Sequence, residues 1–137
     1  MKSILASILL ATTLLAQIEW QENFSTALHI AKKEQKPLFV FMQRTNPPCR
    51  WCEKMKKFTL SNNEIAKMIN RNFVAVKIDK YEDTYPSTLS SQYVPAIFIV
   101  DPQTKKVLYK IVGFWGVQDF KSDLNDIFKI LHKQTKH

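Results

Sequence analysis

Two stretches of this 137-residue chain, Leu38-Phe39-Val40-Phe41-Met42 and Ala96-Ile97-Phe98-Ile99-Val100, are apolar at every position. A strand with one face in water alternates polar and apolar residues, whereas an unbroken apolar run of strand length fits a strand covered on both faces. Such strands belong to the middle of a sheet with helices layered on each side, which places the chain in the α/β class. Phe73 to Asp79 also has strand character, and helix-forming sequence lies between it and the Leu38 run. Strand, helical crossover and strand make a right-handed βαβ unit with parallel strands.

The other elements follow from periodicity and punctuation. Trp20, Phe24, Ala27, Leu28 and Ala31 recur at helical spacing, predicting an amphipathic helix over Trp20 to Lys36 that Pro37 stops. Gln43 to Pro48 is a polar, proline-rich turn, and Arg50 to Phe58 is rich in helix formers without Gly or Pro. Ser61 followed by Glu64 has the form of a capping box for a short helix carrying Ile65, Ala66, Met68 and Ile69. Tyr81 to Gln92 is polar and irregular, with room for one helical turn after Pro86. Asp101 to Thr104 is a turn, Val107 to Val112 returns antiparallel, and Lys105, Lys106 and Lys110 mark an edge strand kept soluble by charge. Gly113 ends that hairpin, and Val117, Phe120, Leu124, Ile127, Phe128 and Leu131 lie on one face of a long last helix. The expected architecture is a four-stranded mixed sheet sandwiched by helices.

Composition limits the function classes. With 45% hydrophobic and 23% charged residues, two glycines and six prolines, the chain reads as one ordinary globular domain. Lys2 precedes an apolar run from Ile4 to Leu15 that Ala16 closes, which reads as a signal peptide over residues 1–16 ahead of a domain over 17–137. The run is shorter than the roughly 20 residues that span a bilayer as a helix, so a permanent anchor is the weaker alternative. The formal net charge is +8, but its Lys and Arg are scattered along the chain, so nucleic acid is not expected as a partner.

The two cysteines, Cys49 and Cys52, fall where the buried strand gives way to helix. Unpaired N–H groups and partial positive charge at a helix start favour a thiolate, and in C-x-x-C motifs the thiol pKa drops to roughly 3.5–7.5. Cys49 is then the nucleophile, and Cys52, one turn further in, the residue that resolves its mixed disulfides. Arg50, Lys54, Lys56 and Lys57 add positive potential. A structural disulfide is one alternative, although so short a loop constrains little of the unfolded chain. Zinc held with His132 and His137 is another, but the pairs lie much further apart than the roughly 12–15 residues of compact finger sites. His29, His132 and His137 are not placed by sequence to serve Cys49 as a base.

The buried strand, Cys49-x-x-Cys52 on the following helix, and Val94-Pro95 entering the second apolar strand together resemble the thioredoxin superfamily over about residues 20–134. The stretch Cys49-Arg50-Trp51-Cys52-Glu53-Lys54-Met55 looks most like exported members with a C-x-W-C centre. The resemblance implies a thioredoxin fold with a cis Val94–Pro95 bond opposite the cysteines, so Cys49, Cys52 and Pro95 form the catalytic set. Val94, Trp51 and Pro48 are the substrate-binding candidates, Val94 through its backbone. Pro48 stands where thioredoxin has Trp, Trp51 replaces the proline inside the motif, and the buried Asp of many thioredoxins has no match among Phe41, Met42 and Gln43.

The implied function is an exported, periplasmic thiol-disulfide oxidoreductase that reduces or exchanges disulfides of exported proteins. It would need no cofactor or metal, draw on a membrane thiol electron donor and act as a monomer. A disulfide-donating oxidase and a non-catalytic adaptor are the alternatives. Trp51 reads equally as substrate-facing or as a cap over the motif, and Phe114 and Trp115 as a docking surface or as core.

Overall fold

The computed structural model describes residues 14–136. Residues 1–13 of the expected signal peptide, and His137, lie outside the described residues.

Strands β1 (Trp20–Gln21), β2 (Leu38–Gln43), β3 (Val74–Asp79), β4 (Ala96–Val100) and β5 (Val107–Val112) form one mixed sheet in the order β1-β3-β2-β4-β5. Helices α1 (Phe24–Glu34), α2 (Arg50–Lys54), α3 (Asn63–Asn72) and α4 (Val117–Gln134) cover it, and α2 runs on into a π-helical turn over Met55–Leu60. The parallel β2–β3 pair is the βαβ unit read from sequence, and β4 lies antiparallel to both β2 and β5.

Alternation along β2 sorts the core. Leu38, Val40 and Met42 face α1 with Phe24, Ala27 and Ala31, while Phe39 and Phe41 face the opposite layer with Cys52, Ile65, Ile69, Phe120 and Leu124. All five β2 residues from Leu38 to Met42 are fully buried, as two-sided cover requires. Phe39 meets Phe73 at 5.9 Å and Phe120 edge-on at 6.4 Å between ring centroids, geometries that suit the aromatic quadrupole.

The sheet has five strands, not the expected four, because the first helix begins later than its apolar spacing suggests. Trp20 pairs with Ala75 as β1 and sets its ring 6.3 Å from Phe39 and 6.2 Å from Phe41, so its apolar surface is satisfied by the sheet. Asn23 then caps α1, its side-chain oxygen accepting from the Thr26 N–H. The second correction is also a cap. Asn62, not Ser61, starts α3, accepting from the N–H groups of Glu64 at 3.1 Å and Ile65 at 3.2 Å. The Ser61 hydroxyl instead donates to the Lys57 carbonyl, closing the π-helical turn. Asn62→Ala is therefore expected to cost about 1 kcal/mol in urea unfolding, with Ser61→Ala costing less. The reverse ranking would remove Asn62 from the cap.

Candidate active site

The Leu38–Gln43 strand delivers the chain to the sheet's carboxyl end, and the polar stretch after it turns back so that Cys49 meets the start of α2. Cys49 is the N-cap residue, with extended backbone, and its Sγ accepts from the Cys52 N–H at 3.1 Å. The two cysteines are joined as a disulfide with Cα atoms 5.2 Å apart. Cys49 keeps 4% of its surface exposed and Cys52 none, so any reagent reaches the pair through Cys49. Its environment suits a thiolate: an N–H aimed at the sulfur is a fixed partial positive charge that favours the anion over the thiol.

Across the cleft lies the entrance to β4. The Val94–Pro95 peptide is cis, and the Val94 carbonyl oxygen stands 3.8 Å from Cys49 Sγ. Pro95 is buried and its carbonyl accepts from the Gly113 N–H at 2.8 Å, fastening the start of β4 to the end of β5. Gly113 has φ of 93°, the left-handed region where a side chain is strained. Pro48 is exposed directly before Cys49, and Arg44 holds the turn from inside, donating from Nε to the Pro47 carbonyl at 2.9 Å.

Asp79, which sequence reasoning passed over, secures the approach to the cysteines. It ends β3 opposite Gln43 of β2 and is buried, with 7% of its surface exposed. One carboxylate oxygen accepts from the Thr45 N–H at 2.8 Å and its hydroxyl at 2.5 Å, and the other from the N–H groups of Tyr81 at 3.0 Å and Glu82 at 3.2 Å. Burial alone would raise its pKa, but these donors favour the charged form and the net effect is a lowered one. The carboxylate thus ties the turn before Cys49 to the loop after β3. Beside it, the Gln43 amide oxygen is buried without a hydrogen-bond partner among the described residues.

The third wall is aromatic. Trp51 is 49% exposed and packs against half-buried Phe114 with ring centroids 6.0 Å apart. Its neighbour Trp115 is 40% exposed and donates from Nε1 to the Val112 carbonyl at 3.0 Å. The π-helical turn holds this loop from beneath, because fully buried Thr59 donates from its hydroxyl to the Trp115 carbonyl at 2.6 Å. Trp51 and Trp115 thus both keep a large part of their surface exposed.

Of the residues singled out from sequence, Cys49 and Cys52 are bonded and Val94 stands against Cys49 Sγ with Pro95 next to it, while Pro48 and Trp51 are exposed on either side of Cys49 in the chain. His132 lies on α4 and His29 on α1, and no group of three metal-ligating side chains occurs among the described residues. The structure adds Asp79, Thr45 and Thr59. The Cys-x-x-Cys spacing was a local signal, whereas the Asp79–Thr45 and Thr59–Trp115 contacts join segments dozens of positions apart.

The class that fold and site define is a thioredoxin fold with a disulfide-bonded Cys-x-x-Cys at the start of a helix. Residues 4–115 match the family model Thioredox_DsbH, described as a protein of unknown function, DUF255, and the chain belongs to that family. Among solved structures, DsbH oxidoreductase superposes with a TM-score of 0.66 at 19% identity, covering 83% of this chain and 86% of that one. A thioredoxin from Thermus thermophilus superposes with a TM-score of 0.68 at 16% identity, covering 81% and 87%. Both likenesses establish the fold. In sequence, spermatogenesis-associated protein 20 of Mus musculus is 34% identical over 65 residues, which is 47% of this chain but 8% of that protein.

Proposed function

We propose that this protein is exported and that it reduces or exchanges disulfides of exported client proteins through Cys49 and Cys52, recharged by a membrane thiol donor. The observation that carries the reading is the placing of one reachable sulfur. Cys49 Sγ receives the Cys52 N–H and lies against the Val94 carbonyl, while Cys52 is sealed behind it. The apolar run from Ile4 to Leu15 supports export.

In the reducing direction, the Cys49 thiolate attacks one sulfur of a client disulfide. A Cys49–client disulfide forms, and the other client sulfur leaves as a thiolate with the electron pair of the broken bond. Cys52, giving up its proton to solvent, then attacks Cys49 Sγ and expels the second client thiolate. The client gains two electrons and two protons, and the protein ends in the disulfide form seen here. Two electrons from a donor dithiol restore it. Val94 and Pro95 flank the client segment, with the Val94 backbone available to pair with an extended strand, and Pro48 and Trp51 border it.

The deciding measurement is the equilibrium of the pair against dithiothreitol and glutathione buffers, on protein lacking residues 1–16. A potential near about −270 mV supports the reductase, and one near about −120 mV reverses the direction to that of an oxidase. A pair that stays bonded until the protein unfolds leaves a structural disulfide and an adaptor. Export is checked separately by fractionating cells that express the full chain: a periplasmic protein of unshortened mass would contradict cleavage after residue 16.

A further inference from the structure

The ledge beside Cys49 carries positive charge that nothing in the fold uses. Lys54 Nζ lies 4.7 Å from the centroid of the Trp51 ring and Arg50 Cζ 5.6 Å from it. Both cations thus sit on an aromatic side chain that is itself half exposed. Over residues 50–60 the sole carboxylate is Glu53, and Lys56 occupies it at 2.7 Å. The other two walls of the cleft, Gln92 to Pro95 and Gly113 to Gly116, contain no acidic residue. Among the described residues neither Arg50 nor Lys54 has an ion-pair partner. The apolar part is held in place on two sides: Phe114 packs against Trp51, and Thr59 bonds the loop that carries Phe114 and Trp115.

We infer that this ledge selects clients by the charge flanking the cysteine: it fits an extended segment with Asp or Glu next to the reacting cysteine and an apolar side chain beyond it. The carboxylate pairs with Arg50 and Lys54, and the apolar side chain rests on Trp51 and Trp115. A guanidinium or ammonium ion held over an indole ring keeps its donors directed outward, so it can meet a carboxylate without leaving the aromatic face. A basic segment meets two like charges there and nothing to offset them. The inference deepens the client-reducing reading above and rests on it.

The test uses three peptide disulfides, each a symmetric dimer of acetyl-X-Cys-X-Leu-amide with X as Glu, Gln or Lys. Reduced protein is mixed with each, and its oxidation rate is divided by the rate of the same peptide with dithiothreitol, which removes the intrinsic reactivity of the sulfur. The Glu peptide is expected to exceed the Lys peptide by about tenfold at low salt and by much less at high salt, as exposed charge pairs are screened. The doubly neutralised variant Arg50→Gln/Lys54→Gln is expected to bring the ratio within about twofold. Lys32→Gln/Lys33→Gln makes the same change in net charge on α1, across the sheet, and is expected to keep the ratio. Equal normalised rates in the native protein would overturn the inference, as would a ratio that survives the Arg50/Lys54 change or falls equally with the α1 pair. Reduced protein that reacts with none of the peptides, while dithiothreitol reacts with all, would sink the client-reducing reading and this inference with it.

Discussion

Cys49→Ser is expected to abolish disulfide reduction, by on the order of a thousandfold or more, because a hydroxyl at neutral pH supplies almost no anion to replace the thiolate. Cys52→Ser separates the two sulfurs by role. Its Cys49 still attacks, but the covalent complex is not resolved from within the protein, so client proteins accumulate as adducts that a non-reducing gel displays and dithiothreitol releases. The burial of Cys52 makes the asymmetry sharp, since the complementary Cys49→Ser variant leaves a thiol with no exposed surface and is expected to trap nothing. Equal trapping by both variants would contradict the assignment of Cys49 as the entry point. Unchanged activity of Cys49→Ser would leave the fold as an adaptor.

Removal of the Asp79 carboxylate is the other large effect. Asp79→Ala leaves the N–H groups of Thr45, Tyr81 and Glu82 and the Thr45 hydroxyl without their acceptor. Loss of buried bonds to a charged group is expected to cost about 2–4 kcal/mol in urea unfolding. Asp79→Asn keeps the shape and loses the charge, so it gives the pH dependence. The folded carboxyl titrates below its ordinary value, so the unfolded chain binds the proton first. The charge then stabilises the fold fully above the unfolded pKa of about 3.9, and the benefit disappears as pH falls through the lower folded value. Urea midpoints of the native protein and Asp79→Asn are expected to differ at pH 7 and pH 5 and to draw together progressively as pH falls below about 3.9. A gap that persists in acid would mean that Asn fails for reasons of shape.

How much of this was legible beforehand depends on the range of each interaction. The wholly apolar runs at Leu38 and Ala96 announced central strands, and β2 and β4 occupy the middle of the sheet. The cysteine pair was legible for the same reason: its chemistry needs only a three-residue spacing and a strand-to-helix junction. Trp20 was misplaced because a two-residue edge strand has no periodicity of its own, while its spacing to Phe24 imitates a helix. The Asn62 cap lay one residue past a sequence signature that Ser61 and Glu64 satisfied equally well. The π-helical turn, the Asp79–Thr45 clasp and the Thr59–Trp115 bond gave no local sign, since each is decided by what the folded chain brings alongside.

The margins of the sheet bear on the company this protein keeps. On one side β1 offers two residues, and on the other β5 carries exposed Lys110 with Lys105 and Lys106 leading into it. In the proposed function a client is brought alongside the sheet, and an open sheet margin invites unpaired strands to zip on. One margin here is too brief to hold a visiting strand and the other repels basic ones, so on the proposed function the hold on a client is confined to the surroundings of Cys49 and the sheet margins do not prolong it.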